Sequence, residues 1–386
     1  MRHRPRIARR YLVSLARRFP ALTIFGARQI GKSTLARQAF ADFAYLDLEH
    51  PVDFARAEAD VALLLSQHRR IVFDEAQRLP ALFPAPRSFL DADPRRRVVI
   101  LGSASPSLVS RMSESLTGRV GIFQLGGLSI FEHDAESLWI QGAFPRIHWS
   151  VPRSRPSEWY PAYLRTTLEQ DIPQLGFRIS TVRMRNLLTM IAHAQGAVCN
   201  LSELGGSLGI NYHSVAHILD VFEGVFLVRR LPPYAANLRK RLVKSPKIYV
   251  RDTGLLHSLL GIPFTKTALL GHPKAGASFE TFCIEQILLH ARLADPAAEG
   301  FFFRTHTGQE VDLLLRVRKA LVPIEIKLGL TPPDTRSLES CMRDLSLPRG
   351  YVINLSTEPV EIRRGVWMCG LRTLLQRLRI APRPQG

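Results

Sequence analysis

The feature that most restricts this chain is an eight-residue pattern placed directly after an apolar run. Ala21–Phe25 has the length and composition of a buried strand. Gly26-Ala27-Arg28-Gln29-Ile30-Gly31-Lys32-Ser33 follows it and opens an amphipathic helical stretch from about Lys32 to Phe40. Glycine lets the backbone turn tightly enough for consecutive N–H groups to face one point. The start of a helix adds partial positive charge at that point. A turn of this kind holds phosphate, with the Lys32 ammonium reaching the outer phosphates of a nucleoside triphosphate and the Ser33 hydroxyl reaching a magnesium ion. The expected nucleotide-binding set is therefore Gly26, Ala27, Arg28, Gln29, Ile30, Gly31, Lys32 and Ser33, together with Thr34 in the first helical turn.

Further apolar runs alternate with helical stretches up to about residue 150. Phe43–Leu48, Arg70–Phe73 and Arg97–Leu101 read as strands, and runs this short and apolar belong in a parallel sheet covered by helices on both faces. The second of these ends in two acids, Ile71-Val72-Phe73-Asp74-Glu75. At that distance from a phosphate loop, Asp74 is expected to hold magnesium, and Glu75 to act as general base on the attacking water. The third ends in Gly102-Ser103-Ala104-Ser105, which brings the Ser103 hydroxyl toward the terminal phosphate. Arg119, at the end of a helical stretch around Glu114–Gly118, is a candidate arginine finger acting on a neighbouring copy's nucleotide; an ordinary surface arginine at a helix end fits the pattern equally well.

Charge narrows the partners. Lys plus Arg is 52 against 33 Asp plus Glu, a net +19. Such a field attracts polyanions, of which nucleic acid is the commonest in a cell. The excess is uneven: Arg2–Arg18 carries seven arginines and no acid, and Arg229–Arg251 carries eight lysines or arginines and no acid. No apolar run reaches the roughly 18 residues that span a bilayer, and the basic start lacks the apolar stretch of a secretion signal, so a cytoplasmic chain with no membrane partner is expected. Cys199, Cys283, Cys341 and Cys369 are too far apart for a metal knuckle or redox pair and read as small buried residues.

The middle of the chain changes character. Leu201-Ser202-Glu203-Leu204 begins a helix, Gly209-Ile210-Asn211 turns, and Asn211 caps a second helix to about Glu223, ahead of Val228-Arg229-Arg230. This resembles a winged helix-turn-helix, with Tyr212, His213, Ser214 and His217 exposed on the second helix; an ATPase lid fits as well. The basic segment Asn237–Lys247 is the better candidate for phosphate contact. From about residue 274 the pattern is a helix (Phe279–Arg292), three strands (Phe301–Arg304, Glu310–Val317, Leu321–Lys327), a helix, and the strand Tyr351–Leu355. Glu325 and Lys327 lie two apart and share a strand face. Asp312 on the paired strand can meet them, and Glu280 on the preceding helix can complete the group. Helix-Glu, strand-Asp, strand-Glu-x-Lys resembles the PD-(D/E)XK nuclease core, with Val311 where that pattern usually has proline. In such a core Glu280, Asp312 and Glu325 would hold magnesium, and Lys327 would position the nucleophile.

The stretches GARQIGKSTL, YLDLEHP, IVFDEAQRLP, LGSAS and ESLTGRV, followed by NLRKRLVKSPKIYVRDTGLL and by the EVD and EIK pair, occur in an order that resembles a prokaryotic AAA-type ATPase family. The likeness runs over about residues 18 to 370. It implies an α/β fold, with a parallel-sheet AAA-type P-loop domain over 1–150, a linker helix and winged-helix or lid domain over 151–270, and a small restriction-endonuclease-like α/β domain over 271–386. It also implies ATP and Mg²⁺ as cofactors and ATP hydrolysis, but no particular target; the charge and the nuclease-like pattern lead to the expectation of a nucleic-acid target, DNA before RNA, with a homo-oligomer as one arrangement. The competing expectation is a nucleotide-gated switch whose C-terminal domain cuts nothing and binds a protein.

Overall fold

The computed structural model describes residues 4–103, 116, 118–234, 245–306 and 308–382. Most of the helical stretch expected around Glu114 and most of the basic segment Asn237–Lys247 lie outside these residues, as do Ala104 and Ser105. The chain divides into two compact units. The first comprises residues 1–128, 144–153 and 224–226; the second comprises 129–143, 154–223 and 227–386. No helix among the described residues is long and apolar enough to cross a membrane.

The first unit is built on five parallel strands, β1 (Ala21–Phe25), β2 (Ala44–Asp47), β3 (Arg70–Asp74), β4 (Arg97–Gly102) and β5 (Val120–Gln124), in the order β2-β3-β4-β1-β5. The near-continuous apolar runs of β1, β3 and β4 follow from this, because both faces of each strand are covered. On one face Ile71, Phe73, Val98 and Ile100 pack with Leu64, Leu65, Leu82 and Leu90. Val72, Val99, Leu22 and Ile24 are equally buried. A fully buried side chain of this size contributes about 1.5–3 kcal/mol.

Register matters more for function than the core does. Phe25 pairs with Gly102 and with Gln124, Phe73 with Ile100, and Asp47 with Asp74. All five strands therefore end within one residue of one another, and the residues that follow them share one edge of the sheet. Ligands of open parallel sheets bind beyond that carboxyl edge.

In the second unit the helices Thr181–His193, Leu201–Leu208 and Tyr212–Gly224 precede an antiparallel pair, β6 (Val228–Leu231) and β7 (Lys247–Val250). The Asn211 side chain accepts a bond from the Ser214 N–H at 2.8 Å, the capping contact expected of it. Tyr212, His213 and His217 are exposed and Ser214 is half-buried. The long helix Ala275–Ala294 then leads into the strands β8 (Glu299–Arg304), β9 (Glu310–Val317), β10 (Ala320–Ile326), β11 (Gly350–Asn354), β12 (Val360–Arg363) and β13 (Val366–Gly370). Their order is β12-β13-β11-β10-β9-β8. β8, β9 and β10 form an antiparallel meander, and β11 returns parallel to β10 after the helix Arg336–Asp344. All four cysteines are free and buried, as their spacing suggests.

Candidate functional site

The loop after β1 turns because two of its residues leave ordinary backbone space. Gly31 has φ +97°, and Gln29 also adopts positive φ. Gly26 is required for a different reason: a Cβ there would lie 2.5 Å from the Leu125 carbonyl oxygen. The Lys32 ammonium, buried at the start of its helix, donates to the carbonyls of Gly26 and Ala27 at 3.1 Å each. Ser33, Arg28 and Gly31 are half-buried, Ile30 is buried, and Gln29 and Thr34 are exposed.

Arg6, which the sequence offered only as part of a basic run, is 6% exposed and ties this loop down. Its guanidinium donates to the Ile30 carbonyl at 3.1 Å and to the carbonyls of Gly126 and Gly127 at 3.0 and 2.8 Å. The phosphate loop and the segment after β5 are thereby held by one side chain.

The acids at the end of β3 lie on the same edge. Asp74, 2% exposed, accepts from the Glu75 N–H at 3.0 Å and from the Tyr45 hydroxyl of β2. Burial and then the Asp74 carboxylate push the Tyr45 phenol far above its ordinary pKa, and the Arg37 charge and then the nearby Ser33 hydroxyl partly offset them. Tyr45 thus lies beside both Ser33 and Asp74. Glu75 sits at φ +50°, outside the strand, and accepts from the Gln77 amide. The same amide donates to Ser103 Oγ at 2.9 Å, and Ser103 Oγ donates to Glu75 at 3.3 Å. Glu75, Gln77 and Ser103 form a closed triangle at the ends of β3 and β4.

The donor set suits magnesium. Hydroxyl and carboxylate oxygens are the hard donors this ion takes, and it needs few of them when phosphates and water supply the rest. Ser33 and Asp74 are brought within reach of one hydroxyl, so both are placed to serve one ion.

Arg119 is not brought to this edge. It precedes β5 at the opposite end of the sheet, where it makes a two-pronged pair with Asp91 at 2.8 and 3.1 Å. Glu49, on the loop after β2, pairs with Arg28 at 3.4 Å; burial, and then the nearby Glu75 charge, raise its pKa.

The second unit gathers Glu280, Asp312, Glu325 and Lys327 into one cluster. Lys327 lies 2.6 Å from Glu325 and 3.8 Å from Asp312. Asp312 also accepts the Ile326 N–H at 2.8 Å. Two members come from outside the pattern. Lys247, the first residue of β7, lies 3.3 Å from Glu280, 2.5 Å from Glu310 and 3.6 Å from Asp312. Tyr249, two residues on and on the same strand face, donates to Glu280 at 2.6 Å. Burial and then the Asp312 charge raise both Glu280 and Glu325 to about 7. Burial works against the Lys247 charge, but the carboxylates outweigh it and the pKa rises above the ordinary lysine value.

The set does not fit a metal as it is folded. Among the described residues no group of three or more His, Cys, Asp or Glu is disposed to hold a metal ion. Each acid of the cluster already faces an ammonium or guanidinium, Glu310 through Lys247 and Arg304. One acceptor, Glu325 Oε2, is buried with no hydrogen-bond partner in the described structure.

A further basic run is neutralised in the same way. Arg229 and Arg251 clamp Glu285, and Arg230 pairs with Asp220 and Glu223. Burial alone would raise the Glu285 carboxyl, but Arg229 and then Arg251 hold it down at about 2.

Comparison with known proteins agrees with the order of these parts. An uncharacterized protein of Mycobacterium tuberculosis and one of Mycobacterium bovis are each 40% identical over 342 residues, covering 87% of this chain and 76% of theirs. The chain belongs to the family of these mycobacterial proteins. Three family models match along it: an AAA domain over residues 18–133, a domain of unknown function (DUF8612) over 132–266, and a second domain of unknown function (DUF4143) over 275–374. The AAA match falls almost wholly within the first unit and supports a P-loop nucleotide-binding domain there. Among solved structures, the Walker-type ATPase of Pyrococcus abyssi aligns with TM-score 0.44 at 13% identity, over 67% of this chain and 98% of that one. A signal transduction ATPase with a tetratricopeptide repeat sensor from Pyrococcus horikoshii aligns with TM-score 0.23 at 15% identity, over 72% and 47%. Both overlaps are too loose to assign a fold.

Proposed function

We propose that the first unit binds and hydrolyses ATP with magnesium, and that the rest of the chain turns this cycle into action on a nucleic-acid target. The observation that carries the reading is the shared edge. Phosphate loop, Asp74, Glu75 and Ser103 all follow strands that end level, so a triphosphate held by the loop meets acid and hydroxyl together.

The roles follow from position. Main-chain N–H groups of Gly26–Ser33 and the Lys32 ammonium grip the phosphates. Ser33 and Asp74 hold magnesium, which when bound offsets the negative charge on the two outer phosphates. Glu75 takes the proton of the attacking water, and Ser103 and Gln77 hold its carboxylate in place. Arg6 keeps the loop in its turned form.

The target rests on three supports. The three helices and the β6–β7 pair have the content of a winged helix. The order helix, antiparallel β8-β9-β10, helix, parallel β11 resembles that expected of a PD-(D/E)XK core. The net charge of +19 suits a polyanion, although Arg229, Arg230, Lys247 and Arg251 are already matched by acids. The other reading, a nucleotide-gated switch whose C-terminal domain binds a protein, is favoured by the ion pairing of every acid in the C-terminal cluster.

The deciding experiment measures ATP turnover alone, with double-stranded DNA and with RNA, for the wild type, Lys32→Ala and Glu75→Gln. Turnover that both substitutions abolish and that DNA stimulates supports the first reading. Turnover indifferent to Lys32→Ala removes it. Turnover indifferent to DNA and RNA leaves hydrolysis standing and gives the coupling to the switch.

A further inference from the structure

The lysine that a PD-(D/E)XK pattern calls for is Lys327. Its side chain follows β10, is 42% exposed, and pairs with Glu325 and Asp312. Lys247 is a different kind of residue. It comes from β7, within the span of the middle family model, whereas Glu280, Glu310 and Asp312 lie within the span of the last one. Its side chain is 3% exposed, and its nitrogen stands within 3.6 Å of three carboxylates.

We propose that Lys247 is the resident cation of the C-terminal carboxylate cluster, and that its ammonium fills the position where a metal-dependent nuclease core holds a divalent ion, so that the cluster excludes such ions. Three features carry this. The ammonium bridges acids from two structural sources, the helix through Glu280 and β9 through Glu310 and Asp312, as a bridging metal does. Lys247 and Tyr249 reach Glu280 together, so the acid that a metal would recruit from the helix is held by the β6–β7 pair instead. A divalent ion beside this buried ammonium meets like charge at contact distance, in surroundings that screen it less than bulk water does. Lys327 then occupies the remaining side of the cluster through Asp312 and Glu325. The consequence goes beyond ATP hydrolysis and does not depend on it: the core is retained as an ion-paired binding platform, and any cleavage by it waits on movement of β7.

The test is a calorimetric titration of chelator-treated, nucleotide-free full-length protein with MnCl₂, comparing wild type, Asp312→Asn, Lys247→Met, and Lys247→Met with Asp312→Asn. The wild type is expected to match Asp312→Asn, with no saturable site in the micromolar range at this cluster. Lys247→Met is expected to gain one site at least ten-fold tighter than any in the wild type, which the double substitution removes. Micromolar Mn²⁺ binding by the wild type that Asp312→Asn abolishes overturns the proposal, and this comparison stands even where Lys247→Met fails to fold. Folded Lys247→Met that binds no better than the wild type also overturns it. Because no nucleotide is present, either failure leaves the ATPase reading untouched.

Discussion

The phosphate-loop site and the C-terminal cluster draw on one short list of residues: lysine, aspartate, glutamate and a tyrosine hydroxyl. In the first unit Asp74 and Glu75 take neutral donors, from Tyr45, Ser103, Gln77 and a main-chain N–H, while Lys32 donates to carbonyls of its own loop. In the C-terminal cluster of the second unit each acid faces a cation within 4 Å. Acids held by neutral dipoles keep their charge for an incoming ion, and an ammonium resting on carbonyls is ready for phosphate. Acids matched by lysines have used that charge within the fold. Residue type alone does not separate a site from a strut; what separates them is whether the opposite charge has been left for a ligand.

Removing the base gives the largest expected effect on the open side of this contrast. Glu75→Gln keeps the shape and the hydrogen bonds and loses only basicity. ATP turnover is expected to fall about a hundred- to a thousand-fold, roughly 3–4 kcal/mol of transition-state stabilisation, in a steady-state assay. Nucleotide affinity, read by fluorescence titration, should hold. Unchanged turnover would move the base to another residue and leave Glu75 as a strut.

On the matched side the same kind of change should strike stability. Glu285→Ala leaves Arg229 and Arg251 facing each other with no acid between them, and the loss is expected to be about 3 kcal/mol. The readout is the urea midpoint of the second unit's transition. The pH dependence has a definite sign. The Glu285 carboxyl is held at about 2 against an ordinary 4.5, so its contribution is complete above 4.5 and is lost as pH falls toward 2. The variant should lack this part of the acid sensitivity. A midpoint that does not move, or acid sensitivity equal to the wild type's, would show that the clamp contributes nothing.

What could be read in advance follows the same division. The phosphate loop, β3 with Asp74 and Glu75, and the end of β4 were legible because local sequence fixes them: a strand, a turn, an acid at a known distance. The group Glu280, Asp312, Glu325 and Lys327 was legible from element order, and these four do lie together. Lys247 was not, because it sits in a run of basic residues that reads as a surface for polyanions, and its acid partners are 33, 63 and 65 residues further on. Arg6 was hidden in the same way by the arginines around it. Tyr45 was quoted within a motif, but nothing local tells a strand tyrosine that packs from one that touches Asp74. β5 and β12 were missed because edge strands with mixed exposure carry little periodic signal; β13 was missed too, although it is an interior strand.

Ser103 sharpens the comparison at a smaller scale, because it tests whether a neutral donor to Glu75 matters to the chemistry. Ser103→Ala removes one bond to the base and one to Gln77 and is expected to lower turnover about ten-fold, near 1.4 kcal/mol. Stability should hold, since Ser103 is half-buried and its neighbours can take water. A loss of stability with turnover per folded molecule intact would place the triangle among the struts.

The smallest effect expected is at Tyr45, and it separates holding a metal ligand from merely filling space. Tyr45→Phe keeps the ring, which the Arg37 guanidinium covers at 3.6 Å from the centroid, and deletes the hydroxyl that donates to Asp74. A hydrogen bond to a charged group contributes about 1.5–3 kcal/mol, but water and the incoming ion replace most of this one at an edge open to ligand. The expected result is a rise of about three- to five-fold, near 1 kcal/mol, in the magnesium concentration that gives half-maximal turnover, with saturated turnover unchanged. A fall in saturated turnover at equal magnesium demand would instead place the phenol beside the reacting phosphate. Because the two outcomes change different parameters of one titration, the hydroxyl's role is decided without any comparison of stabilities.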